Sequence, residues 1–211
     1  MKKVLTIISA IALMAGAGNV MATPVTFDFT GEAGTWDTNS FNYTGSDGLS
    51  IVTATAFPDI SSRNLYLGPN GLGVFGGIDY AQGENFQVDG WGIDESIIFT
   101  FDFDVTFLSV SFENISDNDD FVFTSNNTSV FDIDIPLAHS TGHRHNFTDD
   151  TWISDTFEVG AINKDDDFYI RSITVDVDHA PVPEPATMLL FGTGLLGLVG
   201  FTKKRGSTHK H

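Results

Sequence analysis

The stretch Ile97-Ile98-Phe99-Thr100-Phe101-Asp102-Phe103-Asp104-Val105-Thr106-Phe107 decides the fold class. In an extended chain Ile97, Phe99, Phe101, Phe103, Val105 and Phe107 share one side, with Ile98, Thr100, Asp102, Asp104 and Thr106 opposite. That period of two belongs to a strand with one buried face. The phase then changes to Leu108, Val110 and Phe112. A one-residue slip sends every side chain to the other face, so a bulge or tight turn is expected near residues 104–108, and two strands rather than one long one.

The same period recurs on both sides. Val25, Phe27 and Phe29 alternate with Thr26, Asp28 and Thr30, and Ile51, Thr53 and Thr55 stand opposite Val52, Ala54 and Ala56. Further strands are expected at residues 121–124, 129–135, 153–159 and 168–178, the last with a phase change between Ile170 and Ile173. Polar turns at 117–120, 125–128 and 163–167 separate them. Short strands without a helix-forming run predict an all-β fold, an antiparallel β-sandwich or jelly roll. A β-helix would need a fixed-period repeat, and the sequence has none. Residues 68–92 carry Gly71-Leu72-Gly73-Val74, Gly76-Gly77 and Asp89-Gly90-Trp91-Gly92. With no Lys-Ser/Thr pair and no following helix, they read as a long irregular connection rather than a phosphate loop.

Composition separates the middle from the ends. Residues 23–181 hold 17 of the 19 Phe and all three Trp, enough for the core of one domain. They also hold 27 acidic residues against four basic ones, Arg63, Arg144, Lys164 and Arg171, a net −23. Such a surface repels nucleic acid and anionic lipid. The chain has no cysteine, which excludes thiol catalysis, thiolate metal sites, haem attachment through thioethers and lipidation on sulfur.

At the N-terminus, Lys2 and Lys3 precede an apolar run over residues 4–15, and Val20 and Ala22 occupy the small-residue positions before a cut. A secretory signal peptide, residues 1–22 with cleavage after Ala22, is expected, and hence Sec-type translocation. At the other end Pro181, Pro183 and Pro185 stiffen the chain. Residues 186–202 carry no charge and Lys203, Lys204 and Arg205 follow. As a helix those 17 residues rise roughly 25 Å, the short limit for a membrane span. The basic cluster and a tail of residues 206–211 would then stay cytoplasmic.

Val182-Pro183-Glu184-Pro185, the glycine-striped apolar stretch and Lys203-Lys204-Arg205 together resemble the PEP-CTERM sorting signal, a kind of tail also labelled an ice-binding-protein C-terminal domain. The resemblance implies an exported protein, a transient inner-membrane intermediate, cutting by an exosortase-like membrane protease and delivery to the cell surface or beyond. It also implies a bacterium that makes exopolysaccharide, and so a setting of biofilm. A second resemblance links Gly71–Val74, Asp94-Glu95, residues 97–103 and the acidic turn 117–120 to a pattern common in proteins with that tail, and implies no activity.

Three sets of side chains are candidates for chemistry. Calcium needs several oxygen ligands, and acidic turns supply them: Asp94 and Glu95, then Asp117, Asp119 and Asp120, then Asp165 to Asp167. His139, His143 and His145, with Asp149 and Asp150, could meet at a transition metal or lie on an exposed loop. Trp36, Trp91, Trp152, Tyr43, Tyr66, Tyr80 and Tyr169 could stack on sugars or close the ends of the core. There is no nucleophile-elbow motif. The expected function is a non-enzymatic surface or matrix protein associated with polysaccharide. The alternatives are a secreted glycan hydrolase using paired carboxylates such as Asp94 and Glu95, and an ice-binding protein. Ice binding wants a regular Thr face, and Thr53 and Thr55 alone are too short to provide one.

Overall fold

The computed structural model describes residues 23–31, 38–57, 63–76, 86–126, 128–137, 143–148, 151–177 and 193–194. Residues 23–178 form one compact unit, and its described residues contain strands and no helix. In chain order the strands are β1 (Thr23–Asp28), β2 (Ser40–Thr44), β3 (Ile51–Phe57), β4 (Arg63–Gly68), β5 (Gly71–Gly76) and β6 (Val88–Asp89). Then come β7 (Ser96–Glu113), β8 (Asp120–Ser125), β9 (Thr128–Asp134), β10 (His143–Asn146), β11 (Ile153–Gly160) and β12 (Asp167–Val177). All of them pair antiparallel in one hydrogen-bonded network, with the path β4-β5-β12-β7-β11-β8-β9.

The all-β antiparallel expectation therefore holds, and the two separate sheets of a sandwich give way to a single open sheet. The reason is β7. Its 18 residues run through the whole network, with β3 and β11 flanking the first half and β12 and β10 flanking the second. Two irregularities inside β7 do what two strands were expected to do. Between Val105↔Ser154 and Thr100↔Thr156, β7 advances five residues while β11 advances two, so residues 101–104 have Asp155 alone opposite them on β11. Phe103, expected inside, is 43 % exposed there. Against β12, Leu108 is skipped between Ser109↔Thr174 and Phe107↔Val175, and this bulge moves the buried set from Phe107 to Val110 and Phe112. The phase change on β12 is likewise a bulge, at Arg171, between Ile170 and Ser172.

The inner faces of the two halves meet. Phe27 of β1 packs edge-on against Phe101, and Phe29, just beyond β1, stacks on Phe99 at 5.4 Å. Phe107 lies 4.9–5.0 Å from Phe123 of β8 and Phe157 of β11, and Phe112 touches Phe121 and Phe168. Aromatic rings so arranged contribute beyond their buried area, and Phe27, Phe29, Phe99, Phe101, Phe107 and Phe112, read from the sequence, lie in the core while Phe103 does not.

The segment 68–92 departs most from its expected irregularity. β4 and β5 form a hairpin, Gly68↔Gly71, around Pro69 and Asn70, and β5 and β6 both join β12. In β5 every residue except Phe75 is buried, so it shows no alternation to read.

Candidate functional site

The outer face of the first half of the sheet is built by register. Thr100 of β7 lies directly between Thr53 of β3 and Thr156 of β11, and Asn42 of β2 extends that rung. One step along, Ser40, Thr55, Ile98, Glu158, Thr124 and Ser129 form a rung across six strands. Strand spacing sets neighbouring side chains within a rung about 4.8 Å apart. Cross-strand bonds hold parts of it: Thr53 Oγ1 donates to Asn42 Oδ1 at 2.8 Å, Ser96 Oγ donates to Glu158 Oε1 at 2.6 Å, and the Thr124 and Ser129 hydroxyls are 2.9 Å apart. A cleft of about 300 Å³ opens at one side, lined by Thr124, Ser125, Asn126, Asp155, Thr156 and Glu158 among others. Asn126, at φ 50°, donates from Nδ2 to the Ile153 carbonyl and accepts from Ser154 Oγ, which fixes its amide at the cleft wall.

The calcium candidates do not form one site. Asp94 is exposed, while Glu95 is buried, ion-paired with Arg63, and accepts from the Asp89 backbone N–H. The two neighbours thus lie in different surroundings, Asp94 at the surface and Glu95 in the interior. Asp117 is exposed. Asp119 is 3 % exposed and closes a turn, accepting from the Ser116 and Asp167 backbone N–H groups. Burial pushes its carboxyl above the usual range, against the lowering effect of those bonds. Asp120 faces Asp134 directly across β8 and β9. Burial first, then Asp166, Asp134 and Asp132, push its carboxyl up as well. Asp166 in turn accepts from the backbone of Asp120 and Asn163 at 3.1 and 3.0 Å.

The structure thus gathers the second and third acidic turns at one end and adds Asp132 and Asp134, which the sequence reading passed over. Their signal was present: two Asp at alternate positions of β9, opposite an acidic turn. Among the described residues no three carboxylates or imidazoles meet in a geometry that holds a metal ion.

His143 and His145 lie on β10, a strand and not a loop; His139, Asp149 and Asp150 fall outside the described residues. His145 sits against Phe121 and Phe147 at 5.3 and 4.9 Å, and burial lowers its pKa. His143 Nδ1 lies 3.2 Å from the Pro136 carbonyl. Of the aromatic candidates, Trp91 is 51 % exposed; Trp152 and Tyr43 pack on the core, and Tyr169 is buried with its hydroxyl pushed up to about 12, chiefly by burial. Tyr66 stacks on Phe86 at 4.8 Å. Trp36 and Tyr80 are outside the described residues.

The two ends fall mostly outside the described residues, including the signal peptide with Ala22, Pro183, Glu184, Pro185, the expected span at 186–202, Lys203, Lys204, Arg205 and residues 206–211. Thr193 and Gly194 are helical and exposed. Among the described residues no helix is long and apolar enough to cross a membrane. Neither a curated protein nor a solved structure matches the chain. The tail does match: residues 181–205 fit the model of the PEP-CTERM protein-sorting motif, which implies an exported chain processed by exosortase-type machinery.

Proposed function

We propose that this is an exported, non-enzymatic surface or matrix protein that associates with polysaccharide, crossing the inner membrane by Sec-type translocation and losing its tail to an exosortase-like protease. The observation that carries the reading is the sorting motif at residues 181–205 behind an all-β domain. Support for the polysaccharide comes from hydroxyl and amide side chains aligned across adjacent strands, groups that exchange hydrogen bonds with sugars as readily as with water. Fractionating producing cells tests it: the shortened chain should co-purify with the cell-surface or released polysaccharide. A chain that stays in the cytoplasm with both ends intact overturns it.

A second reading, a glycan-active hydrolase, draws on Asp155 and Glu158, which line the same cleft. It requires release of reducing ends by the purified chain and loss of that activity in Glu158→Gln. Calcium belongs to the proposal at the acidic end, where Asp120, Asp134 and Asp166 would have to draw together around the ion. Millimolar calcium is then expected to raise the melting temperature and a chelator to reverse the rise; an unchanged melt removes calcium from the reading.

A further inference from the structure

We propose that the end of the domain where the chain enters and leaves the sheet docks on the extracytoplasmic face of the protease that cuts the tail, and that this contact speeds the cut. It rests on the reading of the chain as exported and processed at its sorting motif, and names the surface that the partner meets. Register defines that end. Thr23, the first residue of β1, pairs with Val177, the last of β12, so the segments before and after the domain leave it side by side. One step inward, Pro24, Asp176, Thr106 and Ile153 lie in one row across β1, β12, β7 and β11. Residues 101–104, where β7 outruns β11, adjoin that row through Val105. On their other side β3 begins at Ile51, one residue before the pair Val52↔Phe101. The turn that leads into β3 is tied to β1, the Ser46 backbone N–H donating to the Thr26 carbonyl at 2.9 Å.

Three observations make this end a contact surface. The first is apolar exposure. Of the eight large apolar side chains exposed among the described residues, four lie here: Leu49, 74 % exposed, and Ile51, Phe103 and Ile153, 43–49 % exposed. Single exposed apolar residues need no explanation, but a group of them at one end of a region of net −23 marks a place where something binds. The second is the tether. From Val177 to Pro185 the chain has eight residues, which reach at most about 28 Å however extended. Whatever grips the motif is therefore held within that distance of this end, at a local concentration on the order of millimolar, where a weak contact suffices. The third is charge. Asp102, Asp104 and Asp155 are exposed among the apolar groups. They oppose an anionic bilayer and suit a protein surface with basic groups around an apolar centre. The linear motif is still what the protease reads; the domain's end holds it at the cutting site for longer.

The test follows the full chain by pulse labelling in cells that make the protease, and reads the rate of shortening. Phe103→Ser with Ile153→Thr removes the apolar centre and should slow shortening about tenfold. The melting temperature of that variant should stay close to the parent's, because exposed side chains contribute little to stability. Phe57→Ser, equally exposed at the far end of β3 opposite Ser96, should be cut at the parental rate. A second variant keeps the domain unaltered: about twenty Gly and Ser residues inserted between Asp178 and His179 lower the local concentration, so shortening should slow again. A domain that merely obstructs the protease would be cut faster after the same insertion, which overturns docking. Asp102→Lys with Asp104→Lys should also slow the cut; faster cutting would put lipid headgroups in place of the protein partner. Parental rates in both the apolar and the insertion variants overturn the surface and leave processing standing. A parent chain that is never shortened overturns the processing reading itself, and the inference with it.

Discussion

Arg63 and Glu95 are joined with both side chains fully buried. Two charges taken out of water recover their hydration only through each other, so removing one strands its partner at a cost of about 3–5 kcal/mol. Glu95→Gln is expected to lower the melting temperature by roughly 10 °C, at about 2–4 °C per kcal/mol for a domain of this size. A calorimetric melt within a degree or two of the parent would show that water reaches the pair. At the acidic end the sign is reversed. Asp120 carries a pKa raised by burial and by Asp166, Asp134 and Asp132, so the folded state binds its proton more tightly than the unfolded state does. Its contribution is full below about 3.9, the ordinary aspartate value, and is lost as pH rises through the raised folded value. Melting temperature should therefore rise on mild acidification. Asp120→Asn should blunt that rise and stabilise the protein at neutral pH by about 0.5 kcal/mol, the scale of a like-charge pair directly opposed in a sheet. His145 works the other way: its lowered pKa gives stability above about 6.5 that is lost as pH falls through the folded value, so the profile is best measured with His145→Phe alongside.

Element by element, legibility followed alternation. β1 and β3 emerge from the sequence because one face of each is buried and the other wet, as at Val52, Ala54 and Ala56 against Thr53 and Thr55, while β8 and β12, buried on much of both faces, emerge as apolar and β-branched runs between polar turns. β7 was legible residue by residue, while its continuity was not, because a bulge and a turn leave the same phase change and differ only in the partners across the ladder. β4 and β5 were hidden for a different reason. Gly73 and its neighbours are buried on both faces, and glycine there reads as punctuation when it serves close approach. A Cβ on Gly73 would collide with the backbone carbonyl of Phe86. Gly73→Ala must therefore push β5 away from the segment at Phe86 to Val88, and a loss of about 2 kcal/mol or more is expected in denaturant unfolding. Ala tolerated without loss would mean that the segment shifts freely. The Thr face was illegible for a related reason. Thr53 and Thr55 make a short run on one strand, and the extension through Thr100 and Thr156 exists only in the register of β3 and β11 on β7.

For the whole molecule, the address and the folded domain are written in different parts of the chain. The sorting motif at residues 181–205 is linear, and its prolines, apolar stretch and basic cluster can be recognised without a fold. The face on β7 needs β2, β3, β11 and β8 in register with it before it exists. The two can therefore be uncoupled. Glu184→Ala and Pro185→Ala alter the motif and change no residue of the sheet, so the domain should fold and keep its melting profile while processing stalls. The apolar stretch that follows, 17 residues and short for a span, is then expected to hold the uncut chain at the membrane. Pulse labelling with membrane fractionation should show a full-length, membrane-bound form of the double variant persisting after the parent has been shortened and released. If the variant is cut and released at the parental rate, recognition does not depend on Glu184 and Pro185, and the apolar stretch with Lys203, Lys204 and Arg205 must carry the address instead.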